Sequence, residues 1–376
     1  MTESSADGFA AFHLLPSLLG ALRELGYTRP TEIQQRAIPA LCEGRSVVGV
    51  AETGSGKTLS YVLPILHTLK SLEAKGEAVT AEARPRAMVI VPGRELGEQV
   101  SKVFKQLTHT TRLRVRTALG GSTLVVARRN VAGPFEVLVA TPGRALMLLE
   151  RAHIDLGDLR TLVFDEVDQM LDPGFLPTAD RIVAACPPTR QLALFSATVP
   201  AAIQGLIRRR FAGAEVIRSE GSHKVVPTLT TVNRDVINGK RAPLLREVLA
   251  ERFAGSTLIF ANTRAQCDEI VAQLALLERR CVVYRGEMDR LERRKNLRAF
   301  RDGEVDLLVA TDLGARGIDV PHVARVINYH LPQERDAYLH RVGRTARAGR
   351  KGLVINFVTE RDHPLLRALD APPATP

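Results

Sequence analysis

Short apolar runs rich in β-branched residues alternate with longer amphipathic stretches, and this alternation constrains the fold more than any other feature. In the first half the apolar runs are SVVGVA (46–51), RAMVIVP (86–92), EVLVA (136–140), TLVFDE (161–166) and QLALFSAT (191–198). The stretches between them, such as ELGEQVSKVFKQL, place apolar residues at helical spacing. Alternation of this kind predicts an α/β fold in which helices cover both faces of a parallel sheet.

The pattern weakens around RSEGSHKVVPTLT (218–230) and then restarts. The later runs are STLIFANT (256–263), RCVVYRG (280–286), VDLLVATD (305–312), VARVINY (323–329) and GLVINFVT (352–359). A length of 376 residues also suits two domains better than one. We therefore expect an α/β domain over 1–215, a short linker over 216–230, a second α/β domain over 231–363 and a flexible tail over 364–376.

Composition narrows the class of protein. The formal net charge of +11 favours a polyanionic partner, although an arginine-rich composition spread over solvated faces is the alternative. The chain has no apolar run long enough to span a membrane, and its acidic N-terminus, MTESSADGFAAF, is unlike a leader peptide. The four cysteines lie far apart, which favours reduced thiols over a metal site or disulfides. These features predict a cytoplasmic protein without a membrane partner.

The segment AETGSGKT (51–58) follows a predicted strand and ends in the Gly-Lys-Thr of a phosphate-binding loop. Its turn allows backbone N–H groups to converge on an anion, at the positive end of the helix that follows. The turn residues are Thr53, Gly54, Ser55 and Gly56. Lys57 is then placed to reach the β- and γ-phosphates of ATP, and Thr58 to ligate Mg²⁺. An ordinary glycine-rich turn is the alternative.

Two further segments supply the groups that hydrolysis requires. Asp165 and Glu166 end an apolar strand, where Asp165 suits the Mg²⁺ shell and Glu166 suits polarising the attacking water. A pair of helix-capping acids is the alternative. The segment HRVGRTARAGRK (340–351) offers guanidinium groups, from Arg344 and Arg347 among others, for the charge that develops on the transferred phosphoryl group. A solvated basic face is the alternative there.

Together these motifs resemble those of the DEAD-box RNA helicases of superfamily 2, from Phe9 to about Val358. The first loop of that family has the form A-x-T-G-x-G-K-T, which AETGSGKT matches. The motif that names the family stands here as Asp165-Glu166-Val167-Asp168, with Val in place of the usual Ala. The resemblance implies two RecA-like domains, and the lean, arginine- and alanine-rich chain looks bacterial.

The resemblance also implies roles around the nucleotide. The segment LGYTRPTEIQQRAIP is similar to the Q motif, in which Gln34 would read the adenine edge, Tyr27 would stack on the ring and Phe9 would support it. Asp319 matches a residue that faces the ribose. The residues assigned to coupling hydrolysis with strand separation are Asp168, Ser196 and Thr198.

Further segments resemble motifs that hold the sugar–phosphate backbone of RNA. Arginines there would neutralise phosphates, backbone amides would approach closely, and hydroxyls would bond phosphate or ribose. The residues so implied are Arg94, Gly121, Thr141, Arg144, Thr263, Arg293, Thr311 and Gly314. The chain departs from the usual family pattern at Gly93, Arg290, His330 and Ala346. None of these departures removes a group that hydrolysis needs, but several alter the expected grip on RNA.

The sequence thus predicts an ATP-dependent RNA helicase or RNA–protein remodeller with ATP and Mg²⁺ as cofactors. RNA-stimulated hydrolysis would drive local, non-processive unwinding as two domains close on RNA, which is bound without sequence preference. RNP or ribosome-assembly proteins are the protein partners considered, and the core is expected to be monomeric. An RNA clamp or RNP scaffold with little turnover is the alternative, and a DNA-directed translocase of the same superfamily is a more distant one.

Overall fold

The computed structural model describes residues 8–52, 54–121, 123–170, 174–219, 229–251, 253–285, 288–312, 323–346 and 351–370. The chain divides into two compact units, Met1–Ser222 and His223–Pro376. Each unit is built on its own parallel sheet, as the alternating pattern predicts.

Unit 1 contains a seven-stranded sheet in the order β3-β4-β2-β5-β6-β1-β7. Its strands are β1 (Val47–Val50), β2 (Ala87–Ile90), β3 (Val115–Ala118), β4 (Val137–Ala140), β5 (Thr161–Asp165), β6 (Gln191–Ser196) and β7 (Glu215–Arg218). Its helices are α1 (Pro16–Glu24), α2 (Glu32–Cys42), α3 (Lys57–Ala74), α4 (Arg94–Thr111), α5 (Leu124–Asn130), α6 (Pro142–Glu150), α7 (Phe175–Ala184) and α8 (Ala201–Arg210). All of its strand pairs are parallel.

Helices cover both faces of this sheet. Successive residues of one strand therefore enter different cores: Val47 packs in one cluster and Val48 in the other. Val163 and Phe164 of β5 divide in the same way, and all four side chains are almost completely buried. Burial on both faces explains why these strands appear in the sequence as continuous apolar runs rather than alternating ones.

Unit 2 contains a six-stranded parallel sheet in the order β10-β11-β9-β12-β13-β8. Its strands are β8 (Leu229–Asp235), β9 (Ser256–Ala261), β10 (Val282–Tyr284), β11 (Leu307–Thr311), β12 (Val323–Asn328) and β13 (Gly352–Val358). Its helices are α9 (Arg241–Ala250), α10 (Arg264–Leu276), α11 (Arg290–Arg301), α12 (Arg335–Val342) and α13 (His363–Asp370).

Three strands are not predicted by the apolar runs of the sequence: β3, β7 and β8. Each lies at the edge of its sheet, and residues of intermediate or full exposure interrupt its burial. Edge strands need no continuous apolar run, so VRTA, EVIR and LTTVNRD do not stand out. Both ends of the predicted linker 216–230 therefore overlap regular structure, because β7 ends at Arg218 and β8 begins at Leu229.

The described residues bear on the predictions about membrane spans and about the cysteines. None of the described helices is long and apolar enough to cross a bilayer. The four cysteines are free thiols, with Cys186 and Cys267 buried and Cys42 and Cys281 half-buried. In the described ranges no three His, Cys, Asp or Glu side chains gather as a metal site would require.

Candidate nucleotide and RNA site

The strand order of unit 1 brings three predicted motifs to neighbouring strand ends. Strands β5, β6 and β1 are adjacent in the sheet. The loop AETGSGKT follows β1, Ser196 ends β6, and Asp165 ends β5. Parallel strands lie about 4.8 Å apart, so the phosphate loop and the acidic motif face one another across a single strand. Carboxyl ends of parallel strands are where such sheets bind ligands.

The phosphate loop leads directly into helix α3, with Gly56 as the residue before its first turn. Gly56 has φ +95°, in the left-handed region, and a Cβ there would collide with the side-chain amide of Gln34. Gln34 donates from Nε2 to the carbonyl of Gly56 at 3.0 Å and accepts at Oε1 from the Thr31 N–H at 2.9 Å. Gln34, which the sequence predicts to recognise adenine, therefore also stabilises the phosphate loop through its hydrogen bond to Gly56. A side-chain amide has two donors and two acceptor lone pairs, so one of each remains for a base.

Lys57 is held inside the same loop. Its side chain is buried, and Nζ donates to the carbonyls of Ala51 at 2.6 Å and Glu52 at 3.0 Å. The Ser55 hydroxyl also donates to the Glu52 carbonyl, at 2.7 Å. An ammonium group has three donors, so Lys57 keeps one for a phosphate oxygen. Gly54 is exposed at the turn, and Thr58 is half-buried in the first turn of α3.

Asp165 is tied to the helix that follows the phosphate loop. The Tyr61 hydroxyl, one turn into α3, donates to Asp165 Oδ2 at 2.6 Å, and the Glu166 N–H donates to Oδ1 at 3.0 Å. Burial, reinforced by the Glu166 carboxylate, raises the pKa of Asp165 to about 6. A buried carboxylate at a strand end offers the hard oxygen ligand that Mg²⁺ prefers, and a bound cation would favour its ionised form.

Glu166 carries backbone strain at the position predicted for the water-activating group. It has φ +50°, in the left-handed region that residues other than glycine rarely adopt. Its carboxylate is buried and accepts a hydrogen bond from the Gln169 amide. Strained backbone that persists in a folded protein is concentrated at functional sites, where surrounding contacts enforce it.

The residues predicted to couple hydrolysis to strand separation contact one another. Asp168 Oδ2 accepts from the N–H of Thr198 at 3.2 Å and from its hydroxyl at 3.3 Å. The Asp168 N–H donates to Ser196 Oγ at 3.3 Å, and that hydroxyl donates to the Thr198 carbonyl at 2.6 Å. The end of β5 is therefore linked to the end of β6 through the acidic motif itself.

The aromatic residues assigned to adenine line one cavity of about 1030 Å³. Phe9 is buried and makes an edge-on contact with Phe12, with ring centroids 5.9 Å apart. Tyr27 is 41% exposed, so its ring is available to stack on a ligand. Gln34 lies outside the lining of this cavity, whereas its neighbour Gln35 lines it.

The predicted RNA motifs of unit 1 converge on the ends of β3, β4 and β2. Arg94 donates from its guanidinium to Glu98 Oε1 at 2.8 Å and to the Gly120 carbonyl at 3.1 Å. Thr141 follows β4, and its hydroxyl lies near Gly120, since a Cβ at that glycine would be 3.9 Å from Thr141 Oγ1. Gly121 has open space around it. Arg144 is half-buried in α6, with one guanidinium nitrogen 3.4 Å from Met147 Sδ.

In unit 2 the predicted RNA residues also occupy strand and helix ends. Thr263 caps α10, accepting from the Gln266 N–H at 3.3 Å, and Thr311 is the last residue of β11. Arg293 lies over the ring of Tyr284, 5.7 Å from its centroid. Arg344 follows α12, is buried and donates from Nε to the His340 carbonyl at 3.2 Å.

Arg341, one of the arginines in HRVGRTARAGRK, lies inside unit 2 rather than on its surface. Only 1% of it is exposed, and it pairs with both carboxylate oxygens of Asp312, at 2.5 and 2.7 Å. It also donates to Asn328 Oδ1, the His330 carbonyl and Asn262 Oδ1. This arginine therefore fixes the segment around it and is not part of an exposed basic face.

Four predicted site residues lie outside the described residues: Thr53, Gly314, Asp319 and Arg347. The structure adds Tyr61 and Gln169, which sequence reasoning missed. It also buries Arg341, one of the arginines of 340–351 that the sequence offered for the transferred phosphoryl group. An aromatic residue inside an apolar helix is indistinguishable from a core residue, so nothing in the sequence marks Tyr61 as a partner of Asp165. Ala346 has φ +54°, so the departure from the usual glycine places a side chain in a conformation that favours glycine.

Comparison with known proteins agrees with this geometry. The DEAD/DEAH box helicase family matches residues 31–206, and the helicase conserved C-terminal domain matches residues 240–349. The ATP-dependent RNA helicase DeaD of Buchnera aphidicola is 36% identical over 96% of this chain, which spans 59% of that relative. The ATP-dependent rRNA helicase RRP3 of Candida glabrata is 35% identical over 98% of this chain, which spans 73% of it.

A solved structure gives a similar result. Saccharomyces cerevisiae Dbp5, bound to RNA and ADP BeF3, matches with a TM-score of 0.85 and 29% identity, covering 97% of this chain and 93% of the Dbp5 chain. The chain spans about three-fifths of the DeaD relatives, with 59% for Buchnera and 63% for Mycobacterium tuberculosis.

Proposed function

This chain belongs to the DEAD/DEAH-box helicase family, and on that premise we propose that it is an ATP-dependent RNA helicase or RNA–protein remodeller. The observation that carries the proposal is the hydrogen bond of Tyr61 to Asp165, which joins the helix of the phosphate loop to the acidic motif. It links a group suited to phosphate, Lys57, with groups suited to metal and water within one folded unit. The relatives named above are RNA helicases, and Dbp5 was solved with RNA and a nucleotide analogue.

ATP binds to unit 1 in this proposal. The adenine stacks beside Phe9 and Tyr27, which line the cavity. Gln34 lies outside that lining, and in this proposal its remaining donor and acceptor read the adenine edge where the base approaches the phosphate loop. The β- and γ-phosphates bind the loop from Thr53 to Thr58 and the third N–H of Lys57. Asp319 faces the ribose.

Asp165 and the Thr58 hydroxyl would hold Mg²⁺, directly or through water. The ion would supply polarisation of the phosphoryl oxygens and neutralisation of their charge. Glu166, whose backbone is strained, would polarise the water that attacks the γ-phosphate. Arg344 and Arg347 stabilise the charge that develops on the transferred group.

RNA binds through its backbone in the proposed cycle. Arg94, Arg144 and Arg293 neutralise phosphates, the amides of Gly121 and Gly314 approach the chain, and three threonine hydroxyls bond phosphate or ribose. These threonines are Thr141, Thr263 and Thr311. Closure of the domains over 1–215 and 231–363 on ATP and RNA strains a short duplex, and phosphate release reopens them.

Coupling between the two activities passes through Asp168. Because this residue is the last of the acidic motif and accepts two hydrogen bonds from Thr198, movement at Glu166 would be transmitted to the end of β6. The protein partners in this proposal are proteins of RNP or ribosome assembly. The helicase core would act as a monomer in the cytoplasm.

The test is ATP hydrolysis measured without nucleic acid, with single-stranded RNA, and with DNA of matching sequence. We expect stimulation by RNA only, and its loss in Glu166→Gln. Glu82→Gln makes the same chemical change at an exposed acid of unit 1 and should behave as the unmodified chain. Equal stimulation by DNA, or wild-type turnover in Glu166→Gln, contradicts the proposal.

A further inference from the structure

A cavity of about 530 Å³ lies in unit 2 at the amino-terminal ends of the strands, whereas the predicted RNA residues lie at the carboxyl ends. Thr257 and Arg325 line it from near the amino-terminal ends of β9 and β12, whereas Thr263 and Thr311 lie at carboxyl ends. At about 3.3 Å per residue, the six residues of β9 place the amino-terminal and carboxyl ends of the strands about 20 Å apart. Leu249 and Phe253, at and after the end of α9, form another wall.

Arg325 is the central charged group of this cavity and is held rigidly. It is 3% exposed, and its Nε donates to Thr257 Oγ1 at 3.1 Å. One Nη1 N–H donates to the Val248 carbonyl at 3.2 Å, and the guanidinium lies over Phe253, 4.4 Å from the ring centroid. Three contacts thus fix its plane, while Nη2 makes no hydrogen bond within the described part of the chain.

The positive charge of Arg325 has no carboxylate partner within ion-pair distance among the described residues. The two acids that line the cavity are engaged elsewhere: Asp306 pairs with Arg279 at 3.3 Å, and Glu251 pairs with Arg234 at 3.2 Å. Burial lowers the pKa of the Arg325 guanidinium, and the more distant Glu251 and Asp306 carboxylates only partly oppose this effect. Leaving a buried charge without a counter-charge is unfavourable.

Helix capping explains only part of this arrangement. Arg325 and Arg279 donate to the last carbonyls of α9, those of Val248 and Leu249. A helix C-terminus carries about half a negative charge and takes up one N–H from each arginine. The capping role leaves Nη2 unused and accounts neither for the aromatic ring stacked on the guanidinium nor for the cavity in front of it.

We propose that this cavity binds a small organic anion, whose carboxylate or phosphate pairs with Arg325 and whose apolar part lies along Phe253 and Ala254. The volume falls within the range of about 300–1,000 Å³ that is typical of small-molecule sites. A guanidinium fixed in its plane favours a planar or tetrahedral oxyanion over a neutral ligand. The cavity shares no lining residue with the proposed ATP and RNA site, so anion binding here can be tested separately from helicase activity.

The test uses benzoate and phenyl phosphate as probes and benzamide as their neutral counterpart. Saturation-transfer NMR on the full chain, with ADP added in excess to fill the nucleotide site, should detect both anions but not benzamide. Competition by acetate and by inorganic phosphate then tells which oxyanion the site prefers. Signals no stronger for the anions than for benzamide, or signals that ADP removes, overturn the proposal.

Variants assign the binding to this cavity. Arg325→Gln should raise the dissociation constant for the better probe at least about tenfold, because a neutral amide replaces the buried charge. Arg246→Gln makes the same change at an exposed arginine of α9 that does not line the cavity, and should leave binding unchanged. Phe253→Leu keeps the guanidinium and should weaken binding less, which covers the case in which Arg325→Gln does not fold. Unchanged binding in both cavity variants places the anion elsewhere and overturns the proposal.

Discussion

Replacing Arg341 by lysine should destabilise unit 2 by about 3 kcal/mol. The guanidinium makes five hydrogen bonds, to both oxygens of Asp312 and to Asn328, His330 and Asn262. A lysine ammonium has three donors, so at least two acceptors lose their partner. Leaving the fully buried Asn328 oxygen unsatisfied costs about 1–3 kcal/mol, whereas the exposed Asn262 can bond to water instead. In a unit of about 150 residues this corresponds to a fall in Tm of roughly 6–12 °C.

Calorimetric unfolding of Arg341→Lys measures this loss, and Arg298→Lys provides the matched control. The Arg298 side chain is 83% exposed and, among the described residues, pairs only with the nearby Asp302, so its replacement should change stability by less than about 0.5 kcal/mol. A double-mutant cycle with Asp312→Asn separates the ion pair from the other bonds. If Arg341→Lys is as stable as Arg298→Lys, the buried network does not stabilise unit 2 and the reasoning is refuted.

Three further predictions concern other contacts. Burial, followed by the charges of Arg241 and Arg341, lowers the pKa of His330 to about 4, so the folded chain favours the neutral ring. The contribution of this ring to the free energy of unfolding should therefore be fully present above about pH 6.5 and fall towards pH 4. Urea unfolding at pH 7.5, 5.5 and 4.5 should show a flatter profile for His330→Gln, and an equal slope would exclude this histidine as the cause. Tyr61→Phe removes the buried donor to Asp165 and should lower the free energy of unfolding by about 1–3 kcal/mol, measured by denaturant titration at pH 7.5; no loss would mean that the bond contributes nothing. Thr198→Val keeps the N–H bond to Asp168 and removes the hydroxyl bond, so duplex unwinding should fall more than RNA-stimulated hydrolysis; equal losses would argue against a coupling role.

The sequence was sufficient for the central strands and for the order of motifs along the chain. Strands β1, β2, β4, β5 and β6 fall inside the apolar runs, because a strand buried on both faces must be apolar at every position. Edge strands are exposed on one side, so β3, β7 and β8 carry no such signal. Their positions depend on pairing with strands that are distant in the sequence.

The candidate site divides in a similar way. Lys57, Asp165 and Glu166 were identifiable because the chemistry of phosphate, metal and water restricts those residue types at those spacings. Tyr61 was not, since its role comes from a tertiary contact at a sequence separation of 104 residues. Arg341 belongs to the arginine-rich segment offered for the phosphoryl charge, but its contact with Asp312, 29 residues away, makes it a buried structural residue. Gln34 was assigned from family resemblance alone, and its bond to the phosphate loop emerged only from the fold.

The central claim is that ATP drives local separation of an RNA duplex, and strand displacement measures it most directly. A short labelled RNA duplex should be released repeatedly by the wild-type chain with ATP, and not with ADP. Glu166→Gln, which is expected to close on RNA without turning over, should release at most one duplex per chain. If the wild-type chain hydrolyses ATP on RNA yet releases no strand, the helicase account is contradicted and an RNA clamp is the better description.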